Sequence, residues 1–387
     1  MKINLNRMMD MLSEVNQITD EGEGVTRPAF SDFEDQAHGW FINKCKAHGL
    51  ETYQDRFGNS FATIGPGEEK GLLIGSHLDT VNNGGEYDGA LGVITALETV
   101  ITLLENGVEL SKPVTVVAFR AEEIGLIGSS VFSDLIDKSG NFAERMAGIG
   151  RTPEDVENAI GYKDFTDYLE LHIEQGVYLE NNALDIGIVN AIASMHQLNV
   201  TVFGEAGHAG TIGMRERDDA MMNASKLLVE FEKIVKSYGP PFVGTAGTLE
   251  VFPNSSNVIP GKVEFTVEVR GDDMDKLHAI LDSFIEYAER DFKTNITKSI
   301  DKAPAHMSDG MIDAITAACE ATDMKYELMM SGANHDANPL SRRMNAGMIF
   351  IPSKDGISHN PREFSSKEDI ETGAAVMLEA VKRLLSK

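Results

Sequence analysis

The stretch from Leu72 to Phe119 constrains the fold more than any other part of the chain. It opens on a short apolar run, Leu72, Leu73 and Ile74, of the kind that forms a strand covered on both faces, and Gly75 and Ser76 break that run. A helical pattern from Gly89 to about Asn106 follows, then Pro113 and a second buried-strand run, Val114 to Phe119. Strand, helix and strand in this order make a βαβ unit, which requires a parallel sheet with helices packed on it. His77 and Asp79 stand just past the first run, at the carboxyl end of a strand, where open α/β sheets carry their sites. A tight turn from Asn82 to Gly85 leads to Asp88 at the helix entrance. Asp88 admits two readings at this point: a helix N-cap, or a carboxylate that shares a metal ion with His77.

The same texture continues through strands expected at Tyr168 to Ile173 and Ile186 to Ile192, with Arg145 to Lys163 read as a surface connection between elements. Around Ala193 the pattern changes. Gln197 to Gly204, Val243 to Val251, Lys262 to Arg270 and Thr294 to Ile300 read as strands, and Arg217 to Tyr238 and Asp273 to Asp291 as amphipathic helices. That order, β-α-β-β-α-β, is the split βαβ arrangement of a ferredoxin-like sandwich. After Pro304 a helix from Asp309 to Ala321 and a strand from Met348 to Pro352 return to the first texture. The expected fold is therefore α/β: a mostly parallel-stranded, helix-covered catalytic domain built from residues 1–192 and 304–387, interrupted by an inserted domain at 193–303. A chain of 387 residues exceeds the usual size of a single core, which fits this division.

Charge narrows the partners. A formal net charge of -27 repels polyanions, which argues against nucleic acid and anionic membrane surfaces. A small carboxylate substrate would need local cations, from arginine or divalent metal, to overcome that field. No apolar run approaches the roughly 20 residues of a membrane span, and the opening MKINLNRMMDMLSEV lacks a signal-peptide block, so a cytoplasmic location is expected. Cys45 and Cys319 have no paired spacing, which suits a reducing compartment and provides no thiolate metal site.

Three further segments carry chemistry. Glu122 and Glu123 follow strand Val114 to Phe119 directly, and adjacent carboxylates there repel unless a cation or hydrogen bonds intervene. Alone they read more readily as a solvated turn, but the βαβ geometry brings them beside His77. His172 ends another strand, and His359 sits in a loop after strand Met348 to Pro352. Each is an ordinary structural histidine if taken singly. Together, three histidines and several carboxylates at strand ends of one sheet form a nitrogen and oxygen donor set suited to zinc, manganese, cobalt or nickel in a two-metal hydrolytic site.

The motifs GSHLDTV with GGEYDG, AEEIGLIGS, LHIEQG, GHAGT, SNVIPGKVEF and GISHNP occur in this order over nearly the whole chain. In that order the sequence resembles the hydantoinase/carbamoylase branch of the zinc aminoacylase and carboxypeptidase superfamily. The branch holds N-carbamoyl-L-amino acid hydrolases, allantoate amidohydrolases and β-ureidopropionases. The resemblance implies one metal on His77, Asp88 and His172 and a second on Asp88, Glu123 and His359, with Asp88 bridging. It implies Glu122 as general base, Asp79 as the carboxylate that orients His77, and a metal-bridged hydroxide that attacks a ureido or amide carbonyl. His208 would stabilise the oxyanion, in its own or a partner subunit's site. Asn257 and Arg270, with backbone near Gly332 and Ala333, would hold the substrate carboxylate. The inserted domain would act as lid and homodimer platform.

Some readings stay open. Asp79 also suits a turn start before Thr80, and Arg270 a surface pair with Asp272 or Asp273. His335 and Asp336 line the same loop as Ala333 without an assigned role. A related metallopeptidase or aminoacylase would share the same metals and water chemistry. The chain departs from the family at Thr211, Ile212, Gly213 and Met214, at Asn334, and at Ser194, Met195, His196 and Gln197, all positions bearing on lid and substrate pocket rather than on metal.

Overall fold

A computed structural model describes residues 1–67 and 69–386. Contacts divide the chain into two compact units, Met1–Asn190 with His306–Lys387, and Ala191–Ala305. The breaks lie slightly to either side of the expected 192/193 and 303/304.

The first unit contains strands β1 (Glu51–Gln54), β2 (Ser60–Ile64), β3 (Gly71–His77), β4 (Val114–Phe119), β5 (Phe165–Ile173), β6 (Ile186–Ile192), β11 (Tyr326–Ser331) and β12 (Asn345–Ile351), and helices α1 (Leu5–Asn16), α2 (Asp32–Ala47), α3 (Ala90–Glu105), α6 (Asp309–Thr322) and α7 (Lys367–Leu385). The sheet runs β1-β2-β4-β3-β5-β12-β6, and β11 also pairs with β6. Its centre, β4-β3-β5-β12, is parallel, whereas β2 meets β4 and β6 meets β12 antiparallel. Every residue of β3 and β4 is buried, as strands covered on both faces require. Helix α3 is buried on all sides from Ala90 to Leu103, so it is a core helix rather than an amphipathic cover. Its one buried charge, Glu98, is met by Arg7 through Nε at 2.6 Å and Nη2 at 2.9 Å, and by the amide of Asn4 at 2.9 Å. Removing the Arg7 side chain would leave that carboxylate in the core without its counter-charge.

One expectation is corrected here. The segment read as a surface connection, Arg145 to Lys163, overlaps two short helices, Phe142–Gly148 and Pro153–Glu157. Met146 and Val156 bury against Phe57, Val131 and Ala159 as a small satellite core. The cue was in the sequence: Thr152 and Asp155 form a capping box around Pro153, each side chain meeting the other's backbone N–H.

The second unit contains β7 (Ser194–Phe203), α4 (Ala220–Tyr238), β8 (Val243–Phe252), β9 (Lys262–Gly271), α5 (Met274–Asp291) and β10 (Thr294–Lys302). Its sheet order is β10-β7-β9-β8 with antiparallel neighbours throughout. Burial alternates along β7 and β9, and the inward set, including Leu198, Val200, Val202, Val263, Phe265 and Val267, packs against Leu227 and Phe231 of α4 and Ile280 and Phe284 of α5. Asp219 and Asp273 cap the two helices, so α4 starts after Arg217 rather than at it. Among the described residues no helix is long and apolar enough to cross a membrane.

Candidate metal centre

The parallel register of the first unit sets its chemistry at one edge. His77 is the last residue of β3 and pairs opposite Phe119, the last of β4, so Glu122 and Glu123 emerge beside it. His172, next to the end of β5, lies opposite Phe350 of β12, the strand that leads into the loop bearing His359. All four strands thus deliver their side chains at the carboxyl edge.

Asp88 is where they converge. One carboxylate oxygen, Oδ1, lies 3.0 Å from His172 Nε2 and 3.5 Å from His77 Nε2. The other, Oδ2, lies 3.3 Å from His359 Nε2, which is in turn 3.3 Å from Glu123 Oε2. His77, Asp88 and His172 each offer a donor atom within 4.8 Å of the others, as do Asp88, Glu123 and His359. Asp88 belongs to both groups. It is not a helix cap: the N-cap position of α3 is Gly89, and no side chain caps that end. Gly89 has φ of 64°, and a Cβ there would lie 2.3 Å from His77 Cε1, so only glycine lets the ring approach.

The ring orientations fit a cation. His77 Nδ1 faces the Asp79 carbonyl at 3.1 Å, and His172 Nδ1 faces the Ile173 carbonyl at 2.9 Å. A carbonyl oxygen only accepts, so each ring carries its proton on Nδ1 and turns an Nε2 lone pair toward the Asp88 carboxylate. A lone pair against a carboxylate is repulsive unless a proton or metal ion lies between. His172 Nε2 and Glu123 Oε1 are buried without a hydrogen-bond partner, as ligand atoms are. In the chain alone protons fill that role. Burial depresses His77, yet Glu122, Asp79 and Asp88 outweigh it and raise the ring well above its usual range. Asp88 is pushed up by burial and pulled well below its usual range by His172, His359 and His77.

The two glutamates differ from each other. Burial raises Glu122 well above the ordinary carboxyl range, with His77 opposing and Asp336 and Glu123 reinforcing. Burial and Asp88 raise Glu123 to about 7. Glu122 Oε2 is 3.8 Å from His77 Nε2, farther than the other carboxylates of the group.

Asp79 holds more than the imidazole. Its Oδ1 accepts from the Glu122 amide at 3.0 Å and its Oδ2 from the Glu123 amide at 3.1 Å. His77 Nδ1 lies closer to the Asp79 carbonyl, at 3.1 Å, than to its carboxylate, at 3.5 Å. The main chain therefore orients the ring, and the carboxylate fastens the glutamate turn.

Sequence reasoning missed a set of supports. Glu363 is buried and accepts from the amides of Tyr87 at 2.9 Å and Asp88 at 3.0 Å and from Ser358 Oγ at 2.9 Å. Gln175 Nε2 donates to Asp88 Oδ2 at 2.7 Å, and Ser358 Oγ lies 3.1 Å from the same oxygen. A Cβ on Gly85 would lie 2.1 Å from the Glu363 carboxyl, which gives that glycine its reason. Glu363 and Gln175 sit within GISHNPREF and LHIEQG, so proximity to the histidines was the available signal. His335 packs edge-on to His172 at 4.4 Å, and Asp336 is fully buried and raised to about 8 by burial and Glu170.

The remaining expected residues are elsewhere. Gly332 and Ala333 lie in the loop after β11 of the first unit, where the Ala333 carbonyl accepts from Ser331 Oγ at 2.8 Å. In the second unit His208 and Asn257 share a small ladder: Val258 pairs with His208, and the Ala209 amide donates to the Asn257 carbonyl at 3.0 Å. Arg270 Nε donates to Glu268 Oε1 at 2.7 Å, two residues back along the strand.

The family model for peptidase family M20/M25/M40 matches residues 73–383, which contain every donor described above. The chain belongs to this family. An N-carbamoyl-L-amino-acid amidohydrolase from Pseudomonas sp. (strain NS671) is 33% identical over 96% of both chains, and an allantoate amidohydrolase from Escherichia coli (strain K12) is 34% identical over 92% of both. Among solved structures, an amidase of the hydantoinase/carbamoylase family from Burkholderia multivorans superposes with a TM-score of 0.92 at 28% identity, covering 100% of this chain and 99% of that one. This M20-family chain is an amidohydrolase, a hydrolase of carbon–nitrogen bonds other than peptide bonds.

Proposed function

We propose that the protein hydrolyses the ureido carbon–nitrogen bond of a small N-carbamoyl carboxylate, with N-carbamoyl-L-amino acids preferred over allantoate and β-ureidopropionate. The observation that carries this reading is Asp88, whose two oxygens serve two separate donor groups. Two divalent ions, zinc or manganese, with cobalt and nickel also matching the donors, would be held by His77, Asp88 and His172 and by Asp88, Glu123 and His359. Bound there, such ions supply Lewis acidity toward a carbonyl oxygen and acidify water.

The chain's own residues do the rest. Glu122, with its pKa raised by burial, takes a proton from the attacking water as general base. The water oxygen joins the ureido carbon, the bond from that carbon to the substrate nitrogen breaks, and Glu122 returns the proton to the departing nitrogen. Asp79 keeps Glu122 in place through the amide bonds of the turn. The roles proposed for His208, Asn257, Arg270, Gly332 and Ala333 rest on the motifs that contain them.

A homodimer through the inserted unit belongs to the same proposal. Strand β8 lies at a sheet edge, and its Val243, Leu249 and Phe252 are exposed, as are Met222 and Val229 of α4. An open edge with apolar side chains is a surface that a second copy can cover. A hydrolysis panel on metal-reconstituted protein, with N-carbamoyl amino acids, β-ureidopropionate, allantoate, N-acetyl amino acids and dipeptides, tests the activity. Turnover of N-carbamoyl amino acids is expected, and turnover confined to dipeptides would defeat the proposal.

A further inference from the structure

The second unit contains another convergence of metal-binding side chains, made of residues that belong to neither group above. His196 of β7, His278 of α5 and Asp301 of β10 each present a donor atom, and the three atoms lie within 4.8 Å of one another. His196 and Asp301 face each other directly in the antiparallel register, with Nδ1 and Oδ1 2.8 Å apart. The two imidazoles meet at 5.3 Å with their planes at 71°.

A histidine–aspartate ion pair would explain the Nδ1 contact and nothing else. It leaves His196 Nε2 and His278 Nε2 buried with no hydrogen-bond partner, and His196 is only 2% exposed. Folded chains leave few buried polar atoms unpaired, and two on adjoining rings point to a ligand between or beside them. Two imidazole nitrogens and one carboxylate oxygen suit zinc and its transition-metal neighbours; calcium and magnesium prefer oxygen throughout.

We propose that His196, His278 and Asp301 bind one zinc-class ion with a fourth position left to water, tying helix α5 to strands β7 and β10. The three ligands come from three different elements, so the ion acts as a cross-link within the inserted unit.

The test is equilibrium dialysis of the full-length protein against micromolar free zinc, followed by metal quantification, in wild type, His278→Ala and Asp301→Asn. The reading is a difference between proteins that share an intact first unit, so it is independent of how many ions the other centre takes. Wild type is expected to retain one zinc equivalent per chain more than either variant, and zinc-soaked crystals to show anomalous density among the three side chains. Circular dichroism confirms that each variant is folded, and Asp301→Asn, altered at a half-exposed position, keeps the test valid should His278→Ala fail to fold. Equal zinc content in wild type and variants overturns the proposal and leaves His196 and Asp301 as an ion pair. Loss of the equivalent in only one of two folded variants overturns the three-ligand assignment.

Discussion

Asp88 and Glu122 lie within one small buried volume and have opposite ordinary fates there, since the histidines pull Asp88 down and burial drives Glu122 up. The pairing of a charged ligand with a proton-accepting neighbour predicts separable effects. Glu122→Gln should keep both ions by elemental analysis while turnover falls by about 10²–10⁴-fold in steady-state kinetics. A variant that stayed active would show the base is misassigned. Asp79→Ala removes the acceptor for two buried amides, which costs about 1–3 kcal/mol each when left unpaired. It should lower kcat through a displaced Glu122 with little change in the His77-side metal, because the Asp79 main-chain carbonyl still faces the ring. His77, Glu122, Glu123 and His172 stood out because they lie at or just past the ends of apolar runs, and Asp88 and His359 because of the motifs that contain them. Glu363 ends no such run, and its contact with the Asp88 amide joins positions 275 residues apart, so only its nearness to His359 in the sequence marked it.

At the scale of elements, parallel pairing does the positioning. The carboxyl ends of β3, β4, β5 and β12 lie side by side, so residues scattered from His77 to His359 reach one edge without any loop having to travel far. The turn from β3 into α3 is the tightest part of this design. Gly89→Ala would force a Cβ into both a left-handed conformation and the His77 ring. The backbone term alone is about 1–2 kcal/mol, and the ring must also shift. The expected outcome is a lower denaturation midpoint together with substoichiometric metal, and unchanged metal content would show that the ring tolerates the displacement. Strand and helix positions were readable because burial on both faces gives continuous apolar runs and burial on one face gives alternation, as in β3 and β9 respectively. The short helices around Thr152 show no such period, because their apolar content, Met146 and Val156, is too sparse, and the capping residues Thr152 and Asp155 were their mark in the sequence.

For the whole molecule, metal uptake and pH are linked. The Asp88 contact raises His359 to about 9, against burial, and Glu123 is raised to about 7. A protonated imidazole cannot ligate, so affinity should rise as pH increases from 6.5 toward 9, and binding should release protons at neutral pH. Calorimetry in buffers of different ionisation enthalpy measures this release, and identical heats across buffers would contradict it. Assembly has its own check: Leu249→Glu on the exposed edge strand should shift the protein toward monomer in sedimentation velocity, and a monomeric wild type would remove the dimer proposal. The sequence by itself determined the α/β class and the inserted β-α-β-β-α-β segment, because burial periodicity is a local property of a chain, and its motifs named the donors by resemblance alone. Only the tertiary structure decided that Asp88 faces two donor groups instead of capping a helix, that the Asp79 carboxylate fastens Glu122 and Glu123, and that His196 meets His278. Those outcomes depend on which strand ends become neighbours, and neighbours in space are set by packing across the sheet.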